Sequence, residues 1–270
     1  MAADRTLVQI RERSFLDLLD LALVVVRHRP LALGLTALVG IAPFAALNAW
    51  LLSFSTVLAW VWIPLLAIEA PWATAPLTVV LGGMMFGERP SARLVAKKLL
   101  RALPALVLYQ GVVRGALLLL AVFSPILPAK LGFMNEVILL ERGRVAAVPG
   151  RSSRLSGDMA AGLFGQWALL VVVGALFVTA WRWSAEMLTG MLLQDTSESS
   201  WSNESGLAAL GVWLVDLKDW RAQVGIWVVV AFTALVRFLT YIDRRIRLEG
   251  WEVELRLRAA GAAMEESERW

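Results

Sequence analysis

Residues 31–52 read LALGLTALVGIAPFAALNAWLL, without one charged side chain. As an α-helix the stretch is about 33 Å long, enough to cross the roughly 30 Å of hydrocarbon in a bilayer. Four further runs are predominantly apolar and about as long or longer: Val57 to Phe86, Leu103 to Leu127, Gly162 to Trp181 and Val224 to Ile242. Hydrocarbon offers the backbone no hydrogen bonds, so a segment that crosses it must satisfy its own peptide groups as a helix. The chain therefore reads as all-α, a polytopic transmembrane helix bundle.

Composition agrees. Of 270 residues, 59% are hydrophobic and 18% charged, with a mean hydropathy of +0.67, leaving more apolar surface than a soluble domain buries. Of the thirteen tryptophans, Trp50, Trp60, Trp62, Trp72, Trp181 and Trp183 fall near the ends of runs, where an indole bridges hydrocarbon and headgroups. The net charge of +4 and pI of 9.9 come from arginines that flank the runs, so topology accounts for the basicity without nucleic acid as a partner. There is no cysteine, and the single histidine, His28, lies between Arg27 and Arg29. This excludes disulfides, thiolate chemistry and zinc sites of the His/Cys type; no catalytic, cofactor or metal site is expected. Asp4, Glu12, Asp17 and Asp20 near the start argue against a cleaved signal peptide and leave the first run as the insertion signal.

Orientation follows from Lys and Arg in the connections. Arg5, Arg11, Arg13, Arg27 and Arg29 precede the first run, Arg89, Arg93, Lys97, Lys98 and Arg101 follow the second, and Ser53 to Thr56 between them carries no charge. The first two runs thus form an outward hairpin. Arg142, Arg144, Arg151 and Arg154 mark another cytoplasmic loop, yet only Leu103 to Leu127 separates it from the previous one. A short return through Ala129 to Leu140, after Pro125 and Pro128, resolves the parity as a sixth, partial or re-entrant segment. The acidic stretch Gln194 to Asp219 is then external, with Leu207 to Leu217 as an interfacial helix, and both termini are cytoplasmic. Within a single integral-membrane domain, 1–270, residues 1–30 form an amphipathic segment, 31–242 the bundle and 243–270 a cytoplasmic helix. Asp243 to Arg247 and Arg245 to Glu249 are among its candidate i,i+4 pairs.

Charged side chains inside runs cost roughly 2.5–3.5 kcal/mol at mid-bilayer and so face protein or water. Glu69, beside Pro71 and Pro76, and Arg114 are expected to pair with each other, and the prolines to split the second run into two half-helices. Arg182 and Glu186, four residues apart, neutralise one another near the outer interface. Gly82, Gly83 and Gly87 lack the strand-to-helix setting of a phosphate loop and read as close helix packing.

The most motif-like stretches are FMNEVILLERGRVAAVPGRSSRLS (133–156) and RFLTYIDRRIRLEGWEVELRLRAAG (237–261). Together with FLDLLDLAL before a basic turn, they resemble a family of bacterial polytopic membrane proteins of unknown activity, similar to the membrane domain attached to some glycerophosphodiester phosphodiesterases. The catalytic barrel is absent, so the resemblance carries no enzymatic activity. It implies the bacterial cytoplasmic membrane and points to Glu136, Glu141, Arg151, Ser152, Tyr241, Asp243, Arg245, Arg247, Glu249 and Gly250. The function expected is non-enzymatic: helping to assemble, anchor or regulate a membrane complex, with the bilayer as surroundings and protein partners reached through the C-terminal helix and the 141–161 loop. The alternative is a small-solute or ion transporter or channel subunit using Glu69 and Arg114.

Overall fold

The computed structural model describes residues 14–54, 62–85, 90–120, 130–141, 144–157, 160–193 and 219–249. Among these, all regular elements are helical: α1 (Phe15–His28), α2 (Pro30–Phe54), α3 (Trp62–Ala73), α4 (Ala75–Met85), α5 (Ala92–Leu106), a π-helical stretch (Val107–Val113) leading into α6 (Arg114–Leu120), α7 (Met134–Leu140), a 3-10 turn (Val145–Ala147), α8 (Val148–Ser156), α9 (Ala160–Leu193) and α10 (Trp220–Glu249). Four helical rods are long and apolar enough to cross a membrane: Pro30–Leu51, Pro64–Met85, Ala160–Leu192 and Trp220–Leu248.

These four sort into inner and outer layers. Within the apolar 18-residue core of each rod, half or more is buried in Pro64–Met85 and in Trp220–Leu248, against 11% in Pro30–Leu51 and 22% in Ala160–Leu192. On the outer pair, Leu31, Leu35 and Val39 of α2 and Val171, Leu176 and Met191 of α9 stand exposed. Apolar faces of that extent are rare on soluble monomers and suit lipid. The core gathers around α10, where Leu235, Val236, Phe238 and Leu239 meet Leu18 and Ala22 of α1, Leu77 and Leu81 of α4, and Phe133 and Met134 at the start of α7.

Local chemistry sets the element ends. Ser14 caps α1: its hydroxyl accepts from the Asp17 N–H at 3.2 Å while the Asp17 carboxylate accepts from the Ser14 N–H at 3.0 Å. The apolar face of α1, in the segment read as amphipathic, packs on α10 through Leu18 and Ala22. The second run does divide, at Thr74 between Pro71 and Pro76, but as a bend: the Thr74 N–H still reaches the Ala70 carbonyl and the Thr78 N–H the Thr74 carbonyl, each at 3.0 Å. At this bend α2 comes against bare backbone, and a Cβ on Gly40 would overlap the Ala73 carbonyl.

One connection differs from its reading as a loop, and the expected return segment is short. The basic segment after the second run begins a helix at Ser91, whose hydroxyl accepts from the Leu94 N–H, and α5 continues through the π stretch to Leu120. Lys97, Lys98 and Arg101 are therefore held on a rod. The return after it contains a turn at Leu131–Phe133 and the seven residues of α7, about 10 Å of helix, a third of the hydrocarbon thickness. α10 passes without a break through the expected 242/243 boundary to Glu249. The Leu207 to Leu217 helix, the pairs beyond Glu249 and the candidate Gly250 lie outside the described residues.

Candidate functional site

Polar side chains collect in a layer inside the bundle and at a rim around one end of α10. The layer begins with a consequence of proline. In α3 the Ala67 carbonyl would accept from the N–H of residue 71, which is Pro71 and has none. Arg114 supplies the missing donor, its Nε at 2.8 Å from the Ala67 oxygen, while its Nη1 reaches Gln110 Oε1 at 3.4 Å. The expected ion pair with Glu69 is not formed. Glu69, 4% exposed, instead accepts from Asn48 Nδ2 at 2.9 Å, and its Oε1 has no partner among the described residues. The rule that a buried charge seeks company was right, but a freed backbone carbonyl and a carboxamide satisfied it.

Glu136 of α7 is fully buried and accepts from Arg237 Nε of α10 at 2.6 Å, with Arg114 in electrostatic reach of both. Arg237 was not singled out from the sequence, although a lone arginine in an apolar run is the signal that marked Arg114. Gln110 and Asn135, both buried, complete this layer.

Glu141, just past the end of α7, organises the rim. Its Oε2 accepts from Arg151 Nε at 2.7 Å and its Oε1 from the Tyr241 hydroxyl at 2.8 Å; Arg245 Nη1 in turn reaches that hydroxyl at 3.4 Å. Nearby, the Ser152 and Ser156 hydroxyls donate to the Lys130 carbonyl, and Arg244 Nε donates to the Leu155 carbonyl. Asp243 and Arg247 pair along α10 at 2.9 Å. The structure thus ties together Glu136, Glu141, Arg151, Tyr241 and Arg245 from two sequence motifs a hundred residues apart. At the other end of α10, Arg182 pairs with Glu186 at 3.5 Å, as expected, and also with Asp219 at 3.2 Å.

Beside the rim lies a cleft of about 690 Å³ between α4, α5, α7, the 144–151 segment and α10. Six cationic side chains line it, Lys97, Lys98, Arg101, Arg144, Arg151 and Arg245, and the one carboxylate, Glu141, is already held by Arg151. Its walls are apolar, from Leu94, Ala102, Val137 and Leu140 among others. Gly82 keeps one wall close, since a Cβ there would stand 2.5 Å from Leu140 Cδ2. Of the cations, only Arg151 and Arg245 belong to the residues singled out; the other four read as topology signals. Their shared face appears only once α5 is a helix, because Lys97, Lys98 and Arg101 then fall at i, i+1 and i+4. Among the described residues no group of three or more His, Asp or Glu gathers as a metal cage. The arrangement can attract and orient an anion that also carries apolar surface. No family model, curated protein or solved structure matches the chain.

Proposed function

We propose that this chain is a non-enzymatic, multi-pass protein of the bacterial cytoplasmic membrane that helps assemble, anchor or regulate a membrane complex, with the cationic cleft and the adjoining end of α10 as its cytoplasmic binding face. On this reading six segments cross or enter the bilayer, α7 is the tip of a re-entrant return, both termini are cytoplasmic, and the likeness to phosphodiesterase membrane domains is one of architecture. The observation that carries it is the cleft itself: six cations against one committed carboxylate, on a frame locked by Glu141, Arg151 and Tyr241. Fixed charge of one sign on a rigid frame favours complementary partners and steers their encounter.

The test is crosslinking in native membranes followed by mass spectrometry, comparing the intact chain with a Lys97→Glu, Lys98→Glu, Arg101→Glu variant. Specific partners or an oligomer present in the first sample and lost from the second support the reading. Repeated recovery of neither from the intact chain overturns it. The transport alternative rests on Glu69, whose Oε1 has no partner among the described residues, now that Arg114 is engaged by the Ala67 carbonyl. It requires that Glu69→Gln abolish a solute or ion flux in liposomes while leaving the fold intact.

A further inference from the structure

Four of the six cleft cations, Lys97, Lys98, Arg101 and Arg144, make no ion pair or side-chain hydrogen bond among the described residues, and they converge on one concave space. We propose that this cleft binds the phosphate group of an anionic lipid from the cytoplasmic leaflet, with the hydrocarbon of the lipid along the apolar wall. This deepens the reading of the cleft as the cytoplasmic binding face by giving it a ligand class.

Three observations favour a lipid over a soluble anion. The first is the lining: a free phosphate needs only the cations, whereas here they share the cleft with Leu94, Ala102, Val137 and Leu140. The volume of about 690 Å³ suits a headgroup with the first part of its chains, falling among ordinary ligand sites of roughly 300–1,000 Å³. The second is depth. Lys97, Lys98 and Arg101 sit within two turns of the apolar stretch that starts at Leu103, the level at which basic side chains meet lipid headgroups. The third is access. Lys97 and Arg101 also line a shallower groove on the outer side of α5, with Arg93 and Leu100. Leu100, Leu103 and Val107 are exposed along that helix, so a lipid can pass from bilayer to cleft along α5 with its chains in apolar surroundings throughout. Glu141 does not oppose the anion, because Arg151 and the Tyr241 hydroxyl already occupy its oxygens.

The experiment is native mass spectrometry of the full chain in neutral detergent, titrated with phosphatidylglycerol or phosphatidylcholine, with inorganic phosphate as competitor. The intact protein is expected to retain phosphatidylglycerol at least tenfold more strongly than phosphatidylcholine. Lys97→Gln, Lys98→Gln, Arg101→Gln together should weaken that retention by about a hundredfold, from the worth of each basic residue near an anionic surface. Arg154→Gln, an exposed charge that does not line the cleft, should leave it unchanged, and the Lys97→Arg, Lys98→Arg pair should preserve it. If the triple glutamine variant fails to fold, Arg144→Gln alone carries the test, with a loss of about fivefold expected. Equal retention of the two lipids, equal loss in Arg154→Gln, or full displacement by inorganic phosphate would overturn the proposal. A protein partner that still depends on the cleft after such a result would leave the anchoring reading standing without the lipid.

Discussion

Pro71 and Arg114 show how one residue's deficit sets another's role. Proline inside an apolar rod frees a carbonyl, and in a medium without water that oxygen must be met by protein. Arg114→Met should therefore destabilise the protein by about 1–3 kcal/mol, the cost of an unpaired buried acceptor. In a Pro71→Ala background residue 71 regains its N–H, and the loss should fall to less than half; equal losses in both backgrounds, from denaturation midpoints in detergent, would show that Arg114 does not serve that carbonyl. Removing one partner of the Glu136–Arg237 pair leaves a buried charge alone, so Glu136→Ala should cost about 3–5 kcal/mol by the same measurement. A loss below about 1 kcal/mol would mean that water reaches the pair. What the sequence showed here was which residues need partners: Glu69 and Arg114 were visible as charges inside apolar runs, and Glu136 and Glu141 belong to the most motif-like stretch. Which partners they take was hidden, since it depends on register between helices, and a missing N–H at Pro71 outweighed an opposite charge at Glu69.

At the scale of elements, apolar run length located the four long rods because hydrocarbon thickness leaves little choice. It could not find α5, whose charged first turns look like a loop until Ser91 and the apolar positions between the cations are read as a capped amphipathic helix. α7 was legible only as a parity problem in topology, its seven residues being too few for a periodicity signal. Helix contact, by contrast, depends on small residues whose reason becomes visible in three dimensions. The α9–α10 pair meets at Gly174, where a Cβ would stand 2.6 Å from Val229 Cγ1, and at Gly225, where one would stand 2.8 Å from Trp181 Cδ1. Gly174→Leu should thus push α9 from α10 and cost about 1–3 kcal/mol, as overpacking does. Val229→Ala in the same chain should recover part of it. A Gly174→Leu protein as stable as the parent would show that the helices separate freely at this level.

For the whole molecule, α10 acts as a ruler. One end is held by the Arg182, Glu186 and Asp219 cluster and the other by Glu141, Tyr241 and Arg245. The twenty-one residues from Arg221 to Tyr241 span about 30 Å, the thickness of the hydrocarbon between two headgroup layers. Polar clusters spaced in this way put the cleft at one end of the bundle, the end that the proposed function makes cytoplasmic. The absence of cysteine makes the placement directly testable, because each introduced thiol is the sole target of a membrane-impermeant reagent. Ser91→Cys and Ser153→Cys should label only when the cytoplasmic side is open, and Met191→Cys, at the far end of α9, from intact cells. The informative comparison is between the two serines. The rod from α5 to α6 lies between them, so on the proposed six-segment reading the chain returns through the α7 segment and both serines label from the same side. Labelling from opposite sides would overturn that reading, because Lys97, Arg144 and Arg151 line one cleft and cannot lie across a membrane from one another.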